Sequence, residues 1–364
     1  MQRTKTGTRR SSRLAAAALC ASILTVATLG LAGCKSGAAA AADEEAKATG
    51  KGLVIGWSQR GISGSDWWKT LVEGGQAEAS KVGARLELLD ANGDTVRQNA
   101  DVQTLITKGV DVVVMNPNDP IGVGPSVQAL KDAGIPVVTV NSSLDKSLVP
   151  DMFCYVAEDQ EHTGSLAGEV AAQKALEKYG DSGQIKLVGI GGFPGDVLSD
   201  LRFDGFMAGW NRVMEKHPGV TTVKLETKYG EWKPDKALAP IRDVATANPD
   251  LKVIYSMSDV MHGGIVQGLQ QAGLWGDGII MASYDGGMGA IKEMVDDPKG
   301  PLQADASNQP WDQGVAAVRM ALAAFNGDQS QCPDKTNYID TTVITPVEAP
   351  EYYVPSDTYV RAKN

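Results

Sequence analysis

The chain has 364 residues, of which 43% are hydrophobic, and a formal net charge of −10 at neutral pH. This length and apolar content are sufficient for two domains with separate hydrophobic cores. Because an excess of acidic residues repels phosphate backbones and anionic lipid, the charge argues against a nucleic-acid-binding protein.

The first 33 residues have the organisation of a secretory signal peptide. Five basic residues precede an apolar run at 14–31, which is interrupted by Ser and Thr and lacks the flanks of a membrane-spanning helix. The run ends in Leu31-Ala32-Gly33-Cys34. These four residues resemble the bacterial lipobox, in which the cysteine is lipidated and becomes the mature N-terminus. We therefore expect lipidation at Cys34; an ordinary signal with an incidental cysteine is the alternative.

Residues 34–50 are rich in alanine and then acidic, and they contain nothing that would form a core. This composition predicts a flexible spacer between the lipid and the folded part of the chain. Removal of the five positive charges of the signal leaves the remainder near −15, since the whole chain carries −10. Arg9-Arg10 is only a weak match to a twin-arginine signal, so the export route stays open.

From Leu53 onward, short apolar runs alternate with helical segments whose apolar residues lie three and four apart. The runs predict buried strands, first at 53–57, 85–89, 110–115 and 136–140, then at 154–157, 185–190, 222–226, 252–256 and 278–283. Such alternation indicates parallel sheets covered by helices on both faces, and two sets predict two doubly wound α/β domains. Residues 337–347 predict a further strand, and the tail at 350–364 has little periodicity.

Polar and aromatic side chains concentrate after the predicted strands, at the edge of an open α/β sheet where ligands bind. The candidate ligand-binding residues are Arg60, Trp67, Trp68, Asn116, Asn141, Asp200, Arg202, Trp232, Ser258, Asp259, Asp285 and Asn308. Amides, carboxylates and arginines form paired hydrogen bonds with hydroxyl groups, and indole rings cover apolar C–H faces. The set predicts a neutral polyhydroxylated ligand. Taken singly, each residue is equally compatible with a helix cap or a core aromatic.

Motifs for catalysis, cofactors and metals are weak or missing in the sequence. The glycine-rich stretch at 189–195 has a proline and lacks the third glycine of a dinucleotide-binding loop. No nucleophile elbow or phosphate loop occurs, and His162, His217 and His262 have no metal-ligand spacing. We therefore expect no catalytic residues, no cofactor and no metal site.

The chain contains four cysteines. Cys20 is removed with the signal and Cys34 is the lipidation candidate, which leaves Cys154 and Cys332. In an oxidising compartment this pair is compatible with a disulfide and with two separate buried thiols.

Six short segments between residues 53 and 347 have counterparts in a known family. They are 67–68 (WW), 109–117 (GVDVVVMNP), 134–138 (GIPVV), 202–206 (RFDGF), 248–251 (NPDL) and 284–286 (YDG). Together they resemble the substrate-binding proteins of sugar ABC importers of the ribose/galactose type, which have the periplasmic binding protein type I fold. The resemblance implies a three-segment hinge that closes around a sugar, after which the closed form docks on a membrane permease.

The resemblance also implies the domain boundaries. Crossings between domains near Cys154, Asn308 and Cys332-Pro333 give an N-terminal domain of 51–154 plus 309–333. The C-terminal domain is then 155–308 plus 334–364. In this arrangement Cys154 and Cys332 approach each other at the hinge, which favours the disulfide.

Individual roles follow from the same resemblance. It implies stacking by Trp67 or Trp68 and by Trp232. It implies hydrogen bonding by a set of five residues: Asn116, Asn141, Ser258, Asp285 and Asn308. Asn141-Ser142 replaces a frequent Asp-Arg pair, and Asp200 replaces a frequent arginine, so that Arg202 is retained. These departures weaken a standard ribose or galactose assignment and leave room for a sugar alcohol, with Arg60 as a substitute donor.

We therefore expect a monomeric, lipid-anchored receptor that captures a sugar or polyol and delivers it to an importer permease. One alternative is a receptor of the same fold for a sugar-like autoinducer or a chemosensory signal. A second alternative is an extracytoplasmic carbohydrate-active enzyme. A cytoplasmic repressor is disfavoured, because residues 1–50 read as a signal and spacer rather than a helix-turn-helix.

Overall fold

Two parallel sheets dominate the computed structural model, which describes residues 50–276 and 278–363. The predictions for the signal at 1–33, for Cys34 and for the spacer before Gly50 concern residues outside this part of the chain. The first sheet has the order β12-β5-β4-β3-β1-β2 and is parallel throughout. Its strands are β1 (Val54–Gln59), β2 (Arg85–Asp90), β3 (Val112–Met115), β4 (Val137–Val140), β5 (Cys154–Ala157) and β12 (Thr336–Tyr338).

The second sheet has the order β13-β11-β10-β9-β6-β7, with β8 paired to β6. Only β13 runs antiparallel to its neighbour. The strands of this second sheet are β6 (Gly183–Gly191), β7 (Val220–Lys224), β8 (Lys228–Tyr229), β9 (Leu251–Ser256), β10 (Ile280–Asp285), β11 (Leu302–Ser307) and β13 (Val343–Ile344).

Helices cover both sheets. Those of the first lobe are α1 (Asp66–Val82), α2 (Thr95–Thr107), α3 (Gly124–Asp132) and α9 (Pro310–Phe325). Those of the second lobe are α4 (Gln160–Tyr179), α5 (Val197–Met214), α6 (Pro234–Ala247), α7 (His262–Gln271), α8 (Met288–Asp296) and α10 (Ala349–Tyr352). Successive residues of the central strand β6 point to opposite faces of the sheet: Val188 belongs to one hydrophobic core and Leu187 to another. The predicted pair of doubly wound α/β domains is confirmed.

Local sequence sets the helix ends. Helix α1 begins after Ser65, whose hydroxyl accepts a hydrogen bond from the Trp68 N–H, and it ends at Gly83 with φ 78°. A side-chain acceptor at the N-cap and a left-handed glycine at the C-cap are the usual start and stop signals. This start places Trp67 and Trp68 at the beginning of the helix, beside the carboxyl end of β1.

The chain passes between the lobes three times: after Ala157, at Asn308-Gln309, and between Tyr338 and Val343. The first and third passages lie a few residues later than the crossings that the resemblance implies near Cys154 and Cys332-Pro333. Strand β5 was grouped with the second set of strands, and this was wrong: it pairs with β4 in the first sheet. A short apolar run does not reveal which sheet it joins.

The C-terminal third of the chain differs from the predicted pattern in two further ways. The single strand expected at 337–347 is two short strands, β12 in the first sheet and β13 in the second. Strand β11 was not predicted, because Asp305 and Ser307 interrupt its apolar run.

Cys154 and Cys332 form a disulfide, with their Cα atoms 6.0 Å apart. Both residues are fully buried in the core of the first lobe. The bond joins the start of β5 to the segment that precedes β12, so it lies within one lobe rather than at the passages themselves. None of the described helices combines the length and apolar character needed to cross a bilayer.

Candidate ligand-binding site

A cavity of about 1000 Å³ lies between the lobes, where the carboxyl ends of strands from both sheets meet. Its size is at the upper end of the range for small-molecule sites. It is lined by ten of the twelve predicted binding residues: Arg60, Trp67, Trp68, Asn141, Arg202, Trp232, Ser258, Asp259, Asp285 and Asn308. The structure therefore brings together residues that are far apart in the sequence.

Two predicted residues do not line the cavity. Asp200 is exposed on α5, whereas Arg202, two residues later, is buried. Because successive helical residues are rotated by about 100°, these two side chains face in different directions. Asn116 is fully buried, and its Oδ1 lies 3.5 Å from Nδ2 of Asn141. Asn116 is thus placed to support Asn141, and Asp200 points away from the site.

Arg202 is held rigidly at the centre of the second-lobe wall. Its Nε donates to Gln160 at 2.6 Å, and its Nη1 donates to the Met257 carbonyl at 2.6 Å and to Asp285 Oδ1 at 3.2 Å. The guanidinium carbon lies 3.9 Å from the Tyr284 ring centroid and 6.0 Å from that of Trp232. Burial opposes the charge, but Asp285, Tyr284 and Glu158 together raise the pKa of Arg202.

Asp285 links the polar residues of this wall. Its Oδ1 also accepts from Asn308 Nδ2 at 3.2 Å, and its Oδ2 accepts from the Ser258 hydroxyl at 2.5 Å. Gln313 in turn donates to Asn308 Oδ1 at 2.6 Å. These bonds fix the orientation of each group before a ligand arrives, and an ionised carboxylate has acceptor positions to spare.

Aromatic rings come from both lobes. The ring of Trp232 lies across Gly192, where an added Cβ would be 1.9 Å from its Cε2 atom. Gly192, within the glycine-rich stretch at 189–195, therefore makes room for this indole. This packing accounts for the glycine, and no bound dinucleotide is needed to explain it. From the first lobe, Trp68 lies under the Arg60 guanidinium at 5.1 Å, and Nε1 of Trp67 is buried without a hydrogen-bond partner in the described structure.

Backbone strain concentrates at the cavity. Seven non-glycine residues of the described chain have positive φ, and four of them line the cavity: Asn141 (63°), Glu231 (53°), Trp232 (53°) and Asp285 (119°). Such conformations cost free energy, and surrounding contacts maintain them most often at functional sites.

Residues 55–329 match the protein family described as periplasmic binding protein domain. The chain belongs to this family. The family membership that the resemblance of the six short segments indicated is confirmed. Membership implies an extracytoplasmic location and a substrate-binding role.

Characterised members are similar over most of their length. The ribose import binding protein of Salmonella typhimurium is 27% identical over 262 residues, which are 72% of this chain and 81% of the relative. The xylitol-binding protein of Mycolicibacterium smegmatis is 27% identical over 205 residues, 56% of this chain and 54% of the relative. A solved ABC transporter solute-binding protein from Mycobacterium smegmatis, with bound glycerol, has a TM-score of 0.71 and 31% identity. That comparison covers 85% of this chain and 99% of the other.

Several lining residues of this family member were not predicted. They include Phe193, Asp196, Glu231, Lys233, His262, Thr358 and Tyr359. Asp196 caps the start of α5 through the Ser199 N–H, a position typical of an N-cap aspartate. A cap at the carboxyl edge of a sheet is a usable signal for such a residue. The tail residues Thr358 and Tyr359 carry no such signal.

Buried carboxyl groups adjoin the second-lobe wall. Burial raises the pKa of Asp305 well above its usual range, and the neighbouring Asp259 raises it further. Asp259 accepts from the Gly287 N–H at 2.7 Å and from the Ser283 hydroxyl. Burial also raises the pKa of Glu158 to about 7, although Arg202 and the Tyr284 hydroxyl, which donates to Glu158 Oε2 at 2.8 Å, oppose this. Within the described residues, no group of three His, Cys, Asp or Glu side chains is arranged to hold a metal ion.

The Glu158→Gln substitution is expected to flatten the pH dependence of stability. The folded state binds a proton at Glu158 more tightly than the unfolded chain, whose pKa is near 4.5. The wild type therefore loses stability as the pH rises from 4.5 to 7, by up to about 1.4 kcal/mol per pH unit from this group. Glutamine keeps an acceptor for Tyr284 and removes the titration.

The measurement is the free energy of unfolding in urea for both proteins at pH 5, 6, 7 and 8. Asp259 and Asp305 titrate in both proteins, so the difference between the two curves isolates Glu158. Parallel curves would show that Glu158 keeps an ordinary pKa.

Proposed function

We propose that the protein captures a sugar or sugar alcohol between its two lobes and delivers it to an ABC importer. The observation that carries the proposal is the set of mutually bonded polar groups formed by Arg202, Asp285, Asn308 and Ser258. These groups line a cavity that also presents Trp67, Trp68 and Trp232. The set offers paired donors and acceptors to hydroxyl groups, and the indoles offer apolar surface to C–H faces.

A small polyol is the ligand class that this site favours. The carboxylate of Asp285 and the cation of Arg202 balance each other, so a neutral ligand leaves no charge unpaired. Asn141-Ser142 provides no charged pair on the first-lobe side. The xylitol-binding relative and the solved solute-binding protein with bound glycerol support an open-chain polyol beside a cyclic sugar.

Capture by closure is part of the proposal. Three chain passages connect the lobes, and each lobe contributes aromatic and polar side chains to the cavity. A ligand that contacts both walls stabilises the closed arrangement by its differential affinity for the two states. We also propose lipidation at Cys34 after removal of 1–33, a permease as the membrane partner, a monomeric receptor and no catalytic activity.

The proposal predicts thermal stabilisation of the purified protein by members of a panel of pentoses, hexoses and polyols. At a concentration 100-fold above its Kd, a ligand adds about 2.7 kcal/mol to the free energy of unfolding. For a chain of this size, this corresponds to a rise of about 4 °C in Tm. No response to any neutral member of the panel would contradict the proposal.

Trp232→Ala supplies the control for the location of the site. We expect this variant to lose most of the ligand-induced shift, because it removes an indole surface from the cavity. A full shift in Trp232→Ala would place the site elsewhere. Conversion of the best ligand into a product, followed by chromatography, would favour an enzyme over a transport receptor.

A further inference from the structure

The C-terminal tail, defined as residues 354–363, contacts both lobes. On the second-lobe side, the Met288 N–H donates to the Thr358 carbonyl at 2.9 Å, and the Val360 N–H donates to the Gly286 carbonyl at 2.8 Å. These bonds hold Tyr359 opposite Gly287 in an isolated antiparallel bridge. The tail backbone is therefore fixed directly beside the end of β10, which carries Asp285.

The tail is also attached to helix α9 of the first lobe. The Ala362 N–H donates to Asp312 Oδ2 at 2.8 Å, and the Arg361 guanidinium lies 3.7 Å from the centroid of the Trp311 ring. Tyr359 packs into the first-lobe core, whereas the next residue, Val360, packs into a second-lobe core. Both residues are buried, so the tail position is determined by contacts with each lobe.

Tyr359 lines the cavity although it belongs to the tail. Its ring is 6% exposed and belongs to the same core cluster as Trp67. Its hydroxyl has no hydrogen-bond partner anywhere in residues 50–276 and 278–363. Burial raises the pKa of Tyr359, and Asp285 and Asp259 raise it further, so the phenol keeps its proton and remains a donor.

A second unpartnered donor lies on the same side of the cavity. Nε1 of Trp67 is buried, and the side chain is 7% exposed. A buried donor without a partner costs free energy that a bound acceptor recovers. The Tyr359 hydroxyl, from the tail residue that lines the cavity, and Trp67 Nε1, from α1, are therefore two donors available at this wall to the acceptor oxygens of a ligand.

We propose that Tyr359 is a specificity-determining residue whose hydroxyl binds one hydroxyl group of the ligand. The proposal rests on the proposed function of the cavity as a sugar or polyol site. A ligand that lacks the corresponding hydroxyl leaves the phenol unpartnered in the closed site, and such a mismatch is what lets a polar site reject an analogue. The tail thus contributes to ligand selection.

Tyr359→Phe tests the proposal, because it removes only the hydroxyl oxygen and keeps the ring packed in the core. We expect about tenfold weaker binding of the best panel ligand by calorimetry, with the ligand-free Tm unchanged. Tyr353→Phe is the matched control: Tyr353 lies next to the tail against the second-lobe core and does not line the cavity. Its affinity is expected to equal that of the wild type.

Monodeoxy analogues of the best ligand supply a readout that a purely structural role would not change. One analogue should bind the wild type about tenfold more weakly than the parent, while Tyr359→Phe binds the two equally. Wild-type affinity in Tyr359→Phe, or equal losses for every analogue in both proteins, would overturn the proposal and leave the sugar site intact. A wild type that binds no panel member would overturn the proposed function as well.

Discussion

Asp285→Asn is expected to lower the free energy of unfolding by about 3 kcal/mol and to weaken ligand binding at least 100-fold. The side chains of Arg202 and Asp285 are 6% and 5% exposed, so the substitution leaves a buried cation without its counter-charge. Removing one partner of a buried pair costs far more than the pair contributes, because the other charge stays desolvated. Ser258 and Asn308 lose their charged acceptor at the same time.

Asparagine is chosen because it keeps the shape of the side chain and tolerates the positive φ of this position. Urea unfolding and calorimetric titration with the best panel ligand measure the two effects. Asp250→Asn is the matched control, since Asp250 forms an exposed pair with Lys186 at 2.7 Å and is expected to leave both quantities unchanged. Equal behaviour of the two variants would show that the buried pair does not organise the site.

The location of the site was predictable because a topological rule does not need side-chain detail. Parallel strands place their carboxyl ends on one edge, so polar residues that follow different strands meet there. Arg60, Asn141 and Asp285 were predicted in this way, and they line the cavity. Asp200 was also predicted but does not line the cavity, because its direction depends on the rotation of α5, which turns Arg202 inward and Asp200 to the exposed side.

Features without a periodic signal could not be predicted. Tyr359 reaches the cavity because its neighbours Thr358 and Val360 form backbone hydrogen bonds with Met288 and Gly286, and no pattern in the tail indicates these partners. The passages between lobes depend on which sheet accepts β5 and β12, and that choice is made by long-range pairing. Trp232 is an intermediate case. The sequence predicts that its indole stacks on the ligand, but it does not show that the ring needs the space left by the missing side chain of Gly192.

Replacing both Cys154 and Cys332 by Ala is expected to lower the free energy of unfolding by about 4 kcal/mol. The bond joins residues 178 positions apart, and a cross-link over so long a loop removes much conformational entropy from the unfolded chain. Both sulfurs lie in the packed first-lobe core, so the loss of two buried atoms adds a smaller cost. The denaturant m-value should rise, since an unlinked unfolded chain exposes more surface.

The same experiment separates stability from function. Neither cysteine lines the cavity, and the disulfide connects two segments of one lobe, so ligand affinity should stay within about twofold of the wild type. A reducing agent should shift the wild-type unfolding curve most of the way to that of the double variant, which lacks the two buried sulfurs as well, and leave the variant unchanged. If affinity falls tenfold while the ligand-free protein remains folded, the disulfide also holds β5 and β12 in the arrangement that the chain passages need for closure.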